Sequence, residues 1–364
     1  KRAQRAFIEE DRLVNSKERI IAAMNCEQPD RVPCALNFYR TEIEVLAQGA
    51  EFRDEWIDIR FVDFTPSPAE QRLRELALPH SGDTRLGTRS QVATYEQWSY
   101  QPGDANARNP LARARSIQDL EAFPFPRAPA GRPDPALKRE VGEIHSRGWA
   151  AGGNLPHLGG ELFEAAWRLR GLKNFLLDLV ERPDWAHFIL DRLEELARAN
   201  AVALAEAGVD VLALDDDIGM PGGMMISPAT WGQFFKPRMA EIIRAARGVN
   251  PDLKILFHSD GYFEPIIPDL TEIGVDAINP LQPDHMDPAR VRQAYGRQVA
   301  LWGTVGSHTT FSFASPDQIR EEVRIRIAEL GRYGLILSPA YDIDEPDIPW
   351  ENVAAFLRAV QEFG

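Results

Sequence analysis

Cysteine is nearly missing: Cys26 and Cys34 are the only two in 364 residues, too few for a disulfide framework or a thiolate cage. A reducing cytoplasm is the expected setting. Long apolar runs are missing as well. No stretch approaches the roughly 18 residues that span a bilayer, and the segment from Lys1 to Arg12 is polar and charged rather than signal-like. Membrane is therefore not expected as a partner. Basic charge is in short supply: 41 Lys and Arg stand against 55 Asp and Glu, a formal charge of −14. That field repels polyanions, so nucleic acid is not expected either. The chain also lacks a Gly-x-Ser-x-Gly elbow, a Walker loop and any pairing of a reactive Cys with a His, which removes serine hydrolase, P-loop and thiol-protease chemistry.

What is present is an ordinary globular composition, 44% hydrophobic and 26% charged, sufficient for a large core. Ser16 to Asn25 reads as a short amphipathic helix capped by Ser16, with Arg19 on its far face, stopped by Pro29 and Pro33. Val32 to Phe38 and Ile57 to Phe64 offer two strands. The region 65–135 is rich in Pro, Gly and Arg with little sustained period, and reads as an irregular insertion over the core, with Gln91 to Tyr100 alternating enough for a strand or hairpin.

Beyond Asp134 the pattern becomes regular. Strands are expected at Trp149 to Asn154, Val209 to Asp215, Lys254 to His258, Val275 to Asn279, Val299 to Gly303 and Leu335 to Ser338. Helices are expected at Pro135 to Arg147, Glu161 to Leu179, Pro183 to Ala207, Pro228 to Ala246, Phe263 to Ile273, Pro288 to Tyr295, Pro316 to Leu330 and Trp350 to Phe363. Alternating β and α with short, continuously apolar strands fits a sheet covered on both faces. The fold expected is α/β: a single (β/α)8 TIM-barrel domain over 1–364, with an N-terminal helical extension over 1–31 and the insertion at 65–135. A doubly wound open sheet is the rival, but the Gly-rich nucleotide turn it often carries is absent.

In such a barrel the carboxyl ends of the strands carry the chemistry. The residues placed there are Asn37, Tyr39, Arg40, Asn154, Asp215, Asp216, Asp217, His258, Asp260, Asn279, Gln282, Thr304, His308 and Tyr341. Leu256-Phe-His-Ser-Asp-Gly261 delivers a His and an Asp two positions apart as the chain turns; the plainer alternative is a helix cap and a core histidine. Three adjacent carboxylates, Asp215 to Asp217, end the preceding apolar run, tolerable with water, a cation or a raised pKa. Of these Asp215 and Asp216 are the site candidates, and Asp217 reads as a solvated cap. His258, Asp260 and Asp215 make a mixed N/O set for a divalent metal; without metal, His258 and an acid could exchange protons. Met220, with Met224 and Met225, flanks Pro221-Gly-Gly223 as an apolar rim loop, which equally well packs over the following helix.

The chain is similar to the uroporphyrinogen decarboxylase superfamily. The likeness is carried by Ser16-Lys-Glu-Arg19 through Gln28-Pro-Asp-Arg-Val-Pro33, Ala213 to Gly219, Ile226-Ser-Pro228, Phe235-Lys-Pro237, Phe257-His-Ser-Asp-Gly261, Ile273 to Pro283, Leu301-Trp-Gly303, Ile336-Leu-Ser-Pro339 and Pro349-Trp-Glu-Asn352. The resemblance implies a barrel, and either decarboxylation or corrinoid-linked methyl transfer. True decarboxylases resembling it carry Arg-Gln-Ala-Gly-Arg after the first strand; here Leu36-Asn-Phe-Tyr-Arg40 has one Arg, and Tyr341 stands where a late His is expected. Zinc methyltransferases of the superfamily have Cys two residues after the His, where this chain has Asp260. A thiolate-ligated zinc is thus not implied, though a divalent metal such as zinc on N and O ligands remains open.

The expected function is transfer of a methyl group from a small O- or N-methylated substrate to a corrinoid carried by a partner protein docked at the barrel mouth. His258, Asp260, Tyr341 and Asp216 would be catalytic, and Asn37, Tyr39, Arg40, Asn154, Asn279, Gln282 and Met220 would bind substrate. The alternatives are a carboxy-lyase acting on a smaller acid or a tetrapyrrole, and a barrel that only binds or assembles. Similar barrels imply a homodimer.

Overall fold

The computed structural model describes residues 14–36, 54–62, 64–77, 109–128, 134–156, 158–341, 343 and 348–364. Its framework is β1 (Ile59–Val62), β2 (Ala150–Asn154), β3 (Val211–Asp215), a small antiparallel hairpin of β4 (Gly219–Met220) and β5 (Gly223–Met224), then β6 (Lys254–His258), β7 (Ala277–Leu281), β8 (Ala300–Val305) and β9 (Leu335–Pro339). Seven of these form one sheet in the order β1-β2-β3-β6-β7-β8-β9, every neighbour parallel. The strand expected at Val32 to Phe38 is, over its described part, a single bridge between Cys34 and Leu337. Pro33 has no N–H to give, so the ladder there is short. Even so, Ala35 N donates to Leu337 O at 2.9 Å, and Cys34 O accepts from Asp58 N at 2.8 Å just before β1. This segment lies between the last strand and the first, and the curled sheet is TIM-barrel-like.

Alternation along the strands separates two apolar clusters. Ile59, Phe61, Val211, Ala213, Leu256, Ala300, Trp302 and Ile336 pack inside the curl. Leu212, Leu214, Ile255, Phe257, Ile278, Leu301 and Leu337 pack outside it with helix residues. The inner space is tight: a Cβ at Gly152 would lie 2.5 Å from the Phe61 ring. Phe61 and Trp302, with ring centroids 6.5 Å apart, fill the interior as a floor.

At the amino ends of the strands, three aspartates repeat one device. Asp58, Asp210 and Asp276 precede β1, β3 and β7. Each side chain accepts a backbone N–H from the preceding stave, Cys34, Ala151 and Ile255 respectively. Each backbone carbonyl accepts from the following one, Ala150, Lys254 and Ala300. Basic side chains complete the arrangement: Arg19 and Arg31 on Asp58, Lys17 and the His145 ring on Asp210, Arg247 and Lys254 on Asp276.

Helices at Pro183–Ala207, Pro288–Tyr295, Pro316–Leu330 and Trp350–Phe363 span as expected. Three others are interrupted. Gly171, at φ 86°, separates Phe163–Arg170 from Leu172–Glu181. Pro228–Phe234 and Lys236–Val249 part where Pro237 lacks the N–H that would continue the ladder. Pro265 and Pro268 likewise begin a 3-10 turn at Glu264–Ile266 and a short helix at Ile267–Glu272. The first helix, Ser16–Met24, is capped by Asn15 rather than Ser16. Arg19, expected on its far face, is instead buried, because its guanidinium bonds Asp30 and Asp58. Within 65–135 the described residues include helices at Pro68–Ala77 and Ile117–Glu121, where little sustained period was expected. Glu70 anchors the first by accepting from Asn200 Nδ2 at 2.7 Å. The expected hairpin at Gln91 to Tyr100 lies outside the described residues. Among the described residues no helix is long and apolar enough to cross a membrane.

Candidate active site at the carboxyl ends of the strands

The apolar runs of β3 and β6 end side by side on polar residues, with Asp215 in register with His258 and His258 with Asn279. Asp215, Asp217 and His258 each bring one ligand-capable atom within 4.8 Å of the others. His258 Nδ1 lies 2.6 Å from Asn279 Oδ1, an acceptor, so Nδ1 carries the hydrogen and Nε2 keeps its lone pair. Nε2 faces Asp217 Oδ1 at 3.8 Å. Burial lowers the pKa of His258, against the pull of Asp217 and of the Asn279 hydrogen bond, so the ring is held neutral. Asp217 is oriented in turn by the backbone N–H of Asp260, 2.6 Å from its Oδ1.

Behind this trio lies a set of buried acids. Glu161 Oε2 accepts from Asp215 N at 2.6 Å, and Asp215 O accepts from Glu161 N at 2.9 Å. Burial, then Asp217 and Glu161, pushes the Asp215 carboxyl well above its ordinary range. Burial and Asp216 do the same to Glu161, whose Oε1 is buried with no hydrogen-bond partner among the described residues. Burial raises Glu164 to about 8, although Arg168 donates to it at 3.1 Å. Asp216 is raised to about 7, again by burial, and its two oxygens accept the N–H groups of Phe163 and Glu164. Asp216, expected to be catalytic, is thus engaged in holding the start of the helix Phe163–Arg170 and lies outside the ligand-capable trio.

The rim is built by the turns after β6, β7 and β9. Asp260 is exposed, and its Oδ1 accepts from Gln282 Nε2 at 2.8 Å. Tyr341 donates its hydroxyl to Asp284 at 3.1 Å; burial, and the charges of Asp284 and Asp260, raise its pKa, so it stays a proton-bearing donor. The His308 N–H also reaches Asp284, at 3.2 Å. The hairpin carrying Met220, itself 48% exposed, is pressed onto the β6 turn. A Cβ at Gly219 would sit 2.2 Å from Asp260 O.

The structure therefore gathers His258, Asp215 and Asn279, and puts Asp217 where the metal set anticipated Asp260. Asn154 ends β2 with both amide atoms buried and unpartnered among the described residues. Thr304, at φ 73°, is fully buried with its hydroxyl likewise unpartnered. Asn37, Tyr39 and Arg40 lie outside the described residues. Sequence reasoning missed Glu161 and Glu164, which it placed inside a helix. The available signal was Gly159-Gly160 just ahead of them, because paired glycines mark close backbone approach. A Cβ at Gly160 would lie 2.7 Å from Asp216 Oδ1 and 2.9 Å from Asp215 O. Neither thiol is a ligand candidate: Cys34 accompanies Asp58, and Cys26 lies against Gly334.

Residues 163–363, more than half of the chain, match the model of the family described as uroporphyrinogen decarboxylase (URO-D). Among curated proteins, the methylcobamide:CoM methyltransferase MtaA of Methanosarcina barkeri is 26% identical over 54% of this chain and 54% of its own length. A uroporphyrinogen decarboxylase of Hydrogenovibrio crunogenus is 30% identical over 50% of each. The chain thus spans about half the length of the curated relatives it matches. Among solved structures, a methyltransferase from Methanosarcina mazei superposes with a TM-score of 0.63 at 21% identity, over 96% of this chain and 99% of that one, a likeness of fold.

Proposed function

The chain belongs to the uroporphyrinogen decarboxylase (URO-D) family, and from that premise we propose that it is a methyltransferase moving a methyl group from a small O- or N-methylated substrate to a corrinoid on a separate protein. The fold in this reading is a full (β/α)8 barrel, its eighth stave supplied by the segment through Cys34. The observation that carries the function is the charge of the site. The charges acting most strongly on Asp215 all come from other carboxylates, Asp217, Glu161, Glu164 and Asp216. Burying a polycarboxylate tetrapyrrole beside them is costly without cations, whereas a small neutral or cationic methyl donor is compatible with them.

Breaking a bond between methyl and a heteroatom leaves the electron pair on that heteroatom, which then needs a proton or a Lewis acid. Asp215, kept protonated by burial, stands beside the neutral Nε2 of His258 and can deliver that proton at its carboxyl. Asn279 fixes the imidazole tautomer, and Tyr341 and Asp260 hold the substrate's polar end at the rim. A divalent metal such as zinc fits the O, O and N donors of Asp215, Asp217 and His258 and, when bound, supplies Lewis acidity instead. Such an ion would have no thiolate ligand here. The corrinoid supplies the acceptor for the methyl group; the exposed Met220 borders the opening at which its carrier would dock.

The test is a panel of methoxylated and methylamine compounds offered with a reduced corrinoid protein, followed by the corrinoid spectrum and by product analysis. Methylation of the corrinoid with stoichiometric demethylated product is expected. Carbon dioxide release from a porphyrinogen by the purified chain alone, with no methyl transfer, would overturn the reading in favour of a decarboxylase like the relatives of that name.

A further inference from the structure

Gln282 was expected to orient substrate, but its side chain is already occupied. Its Oε1 accepts the N–H of Gly261 at 2.7 Å, and its Nε2 donates both to Asp260 Oδ1 at 2.8 Å and to Ala340 O at 3.2 Å. Both amide hydrogens are used, and the residue is 2% exposed. It thereby joins the turn after β6, its own turn after β7 and the turn after β9 beside Tyr341.

We infer that Gln282 is a positioning residue, which fixes the Asp260 carboxylate at the rim and sets it against Tyr341, rather than a group that touches substrate. Asp260 is exposed, so water competes for its oxygens, and a side chain left to itself would sample several rotamers. Its backbone is already clamped: the N–H is held by Asp217, and the carbonyl is pressed by Gly219. Gly261 turns the chain at φ 78°, with no room for a Cβ against the backbone of Met220. Gln282 restrains the carboxylate itself, from a buried amide that is held in place by Gly261 and Ala340. Preorganisation of this kind decides whether a rim group meets its target. The substrate atom that Asp260 serves depends on the methyl-transfer reading; the holding of Asp260 does not.

Gln282→Met keeps the length and removes both donors and the acceptor. Crystals of the variant are expected to show the Asp260 carboxylate displaced from its wild-type position. In methyl-transfer assays kcat is expected to fall at least about tenfold, the scale of a lost hydrogen bond to a charged group, with KM within about twofold. Asp260→Asn should lower kcat as well, and adding Gln282→Met to it should cost nothing further, because the first change removes what the second acts through. Equal losses on both backgrounds would show a merely structural amide and overturn the inference. So would crystals in which Asp260 does not move. Should Gln282→Met not fold, Gln282→Glu keeps the acceptor for Gly261 and replaces the donor with a repelling carboxylate, so displacement of Asp260 is again expected. If the wild type transfers no methyl group from any compound tried, the functional reading fails, while the crystal comparison still decides whether Gln282 positions Asp260.

Discussion

The two ends of the barrel treat buried carboxylates in opposite ways. At the amino ends of the strands Asp58, Asp210 and Asp276 each meet a cation and a backbone N–H. At the carboxyl ends Glu161, Asp215 and Asp217 crowd together, with Arg168 set against the neighbouring Glu164. The first arrangement stores its charge in satisfied pairs and serves stability. The second leaves charge to be neutralised by protons, by a cation or by a ligand, which is how sites of chemistry are recognised.

The sharpest way to break this contrast is Asp58→Ala. It takes from Arg19 and Arg31 their shared buried carboxylate, leaving Arg19 with Asp30, and is expected to cost about 3–5 kcal/mol of unfolding free energy, measured by urea denaturation, without altering the site chemistry of the molecules that remain folded. Gly219→Ala acts at the opposite end by overpacking. It should cost about 1–3 kcal/mol and push the hairpin off the β6 turn, seen as a loss of turnover larger than the loss of stability explains.

A pH series sharpens the comparison further. Glu164 titrates at about 8 in the folded chain, raised chiefly by burial. The unfolded state gives up its proton at lower pH, so the stabilisation is full below the ordinary glutamate range and is lost as pH climbs through about 8. Glu164→Gln, which keeps an acceptor for Arg168, should flatten that fall by up to about 1.4 kcal/mol per pH unit. A wild-type stability that instead rises from pH 5 to 8 by the same amount would contradict this account. Smallest in stability is Asp217→Asn, expected within about 0.5 kcal/mol, yet it should reduce methyl transfer at least about a hundredfold by altering the face presented to His258 Nε2.

The strands were legible because both faces of each are covered, so the runs at β3, β6, β8 and β9 are continuously apolar and stop where the polar residues begin. That alone placed Asp215, His258 and Asn279 at one level. The breaks at Gly171 and Pro237 were less legible, because apolar period continues across them and only backbone geometry stops. Asp217 read as a solvated cap because nothing local shows that Asp260, 43 positions along the chain, turns its N–H onto it. Gln282 looked available for the same reason: its partners Asp260, Gly261 and Ala340 belong to other turns. Arg19 was misplaced because a helix wheel cannot register Asp58, which arrives from a later strand.

The tilted rings of Phe61 and Trp302 close the interior, so that among the described residues the barrel is a cul-de-sac rather than a conduit. A molecule admitted over His258 has to retreat by the way it came. If a carrier protein covers that doorway during transfer, the spent substrate is trapped until the carrier departs, so thickening the solvent to slow undocking would also slow product escape.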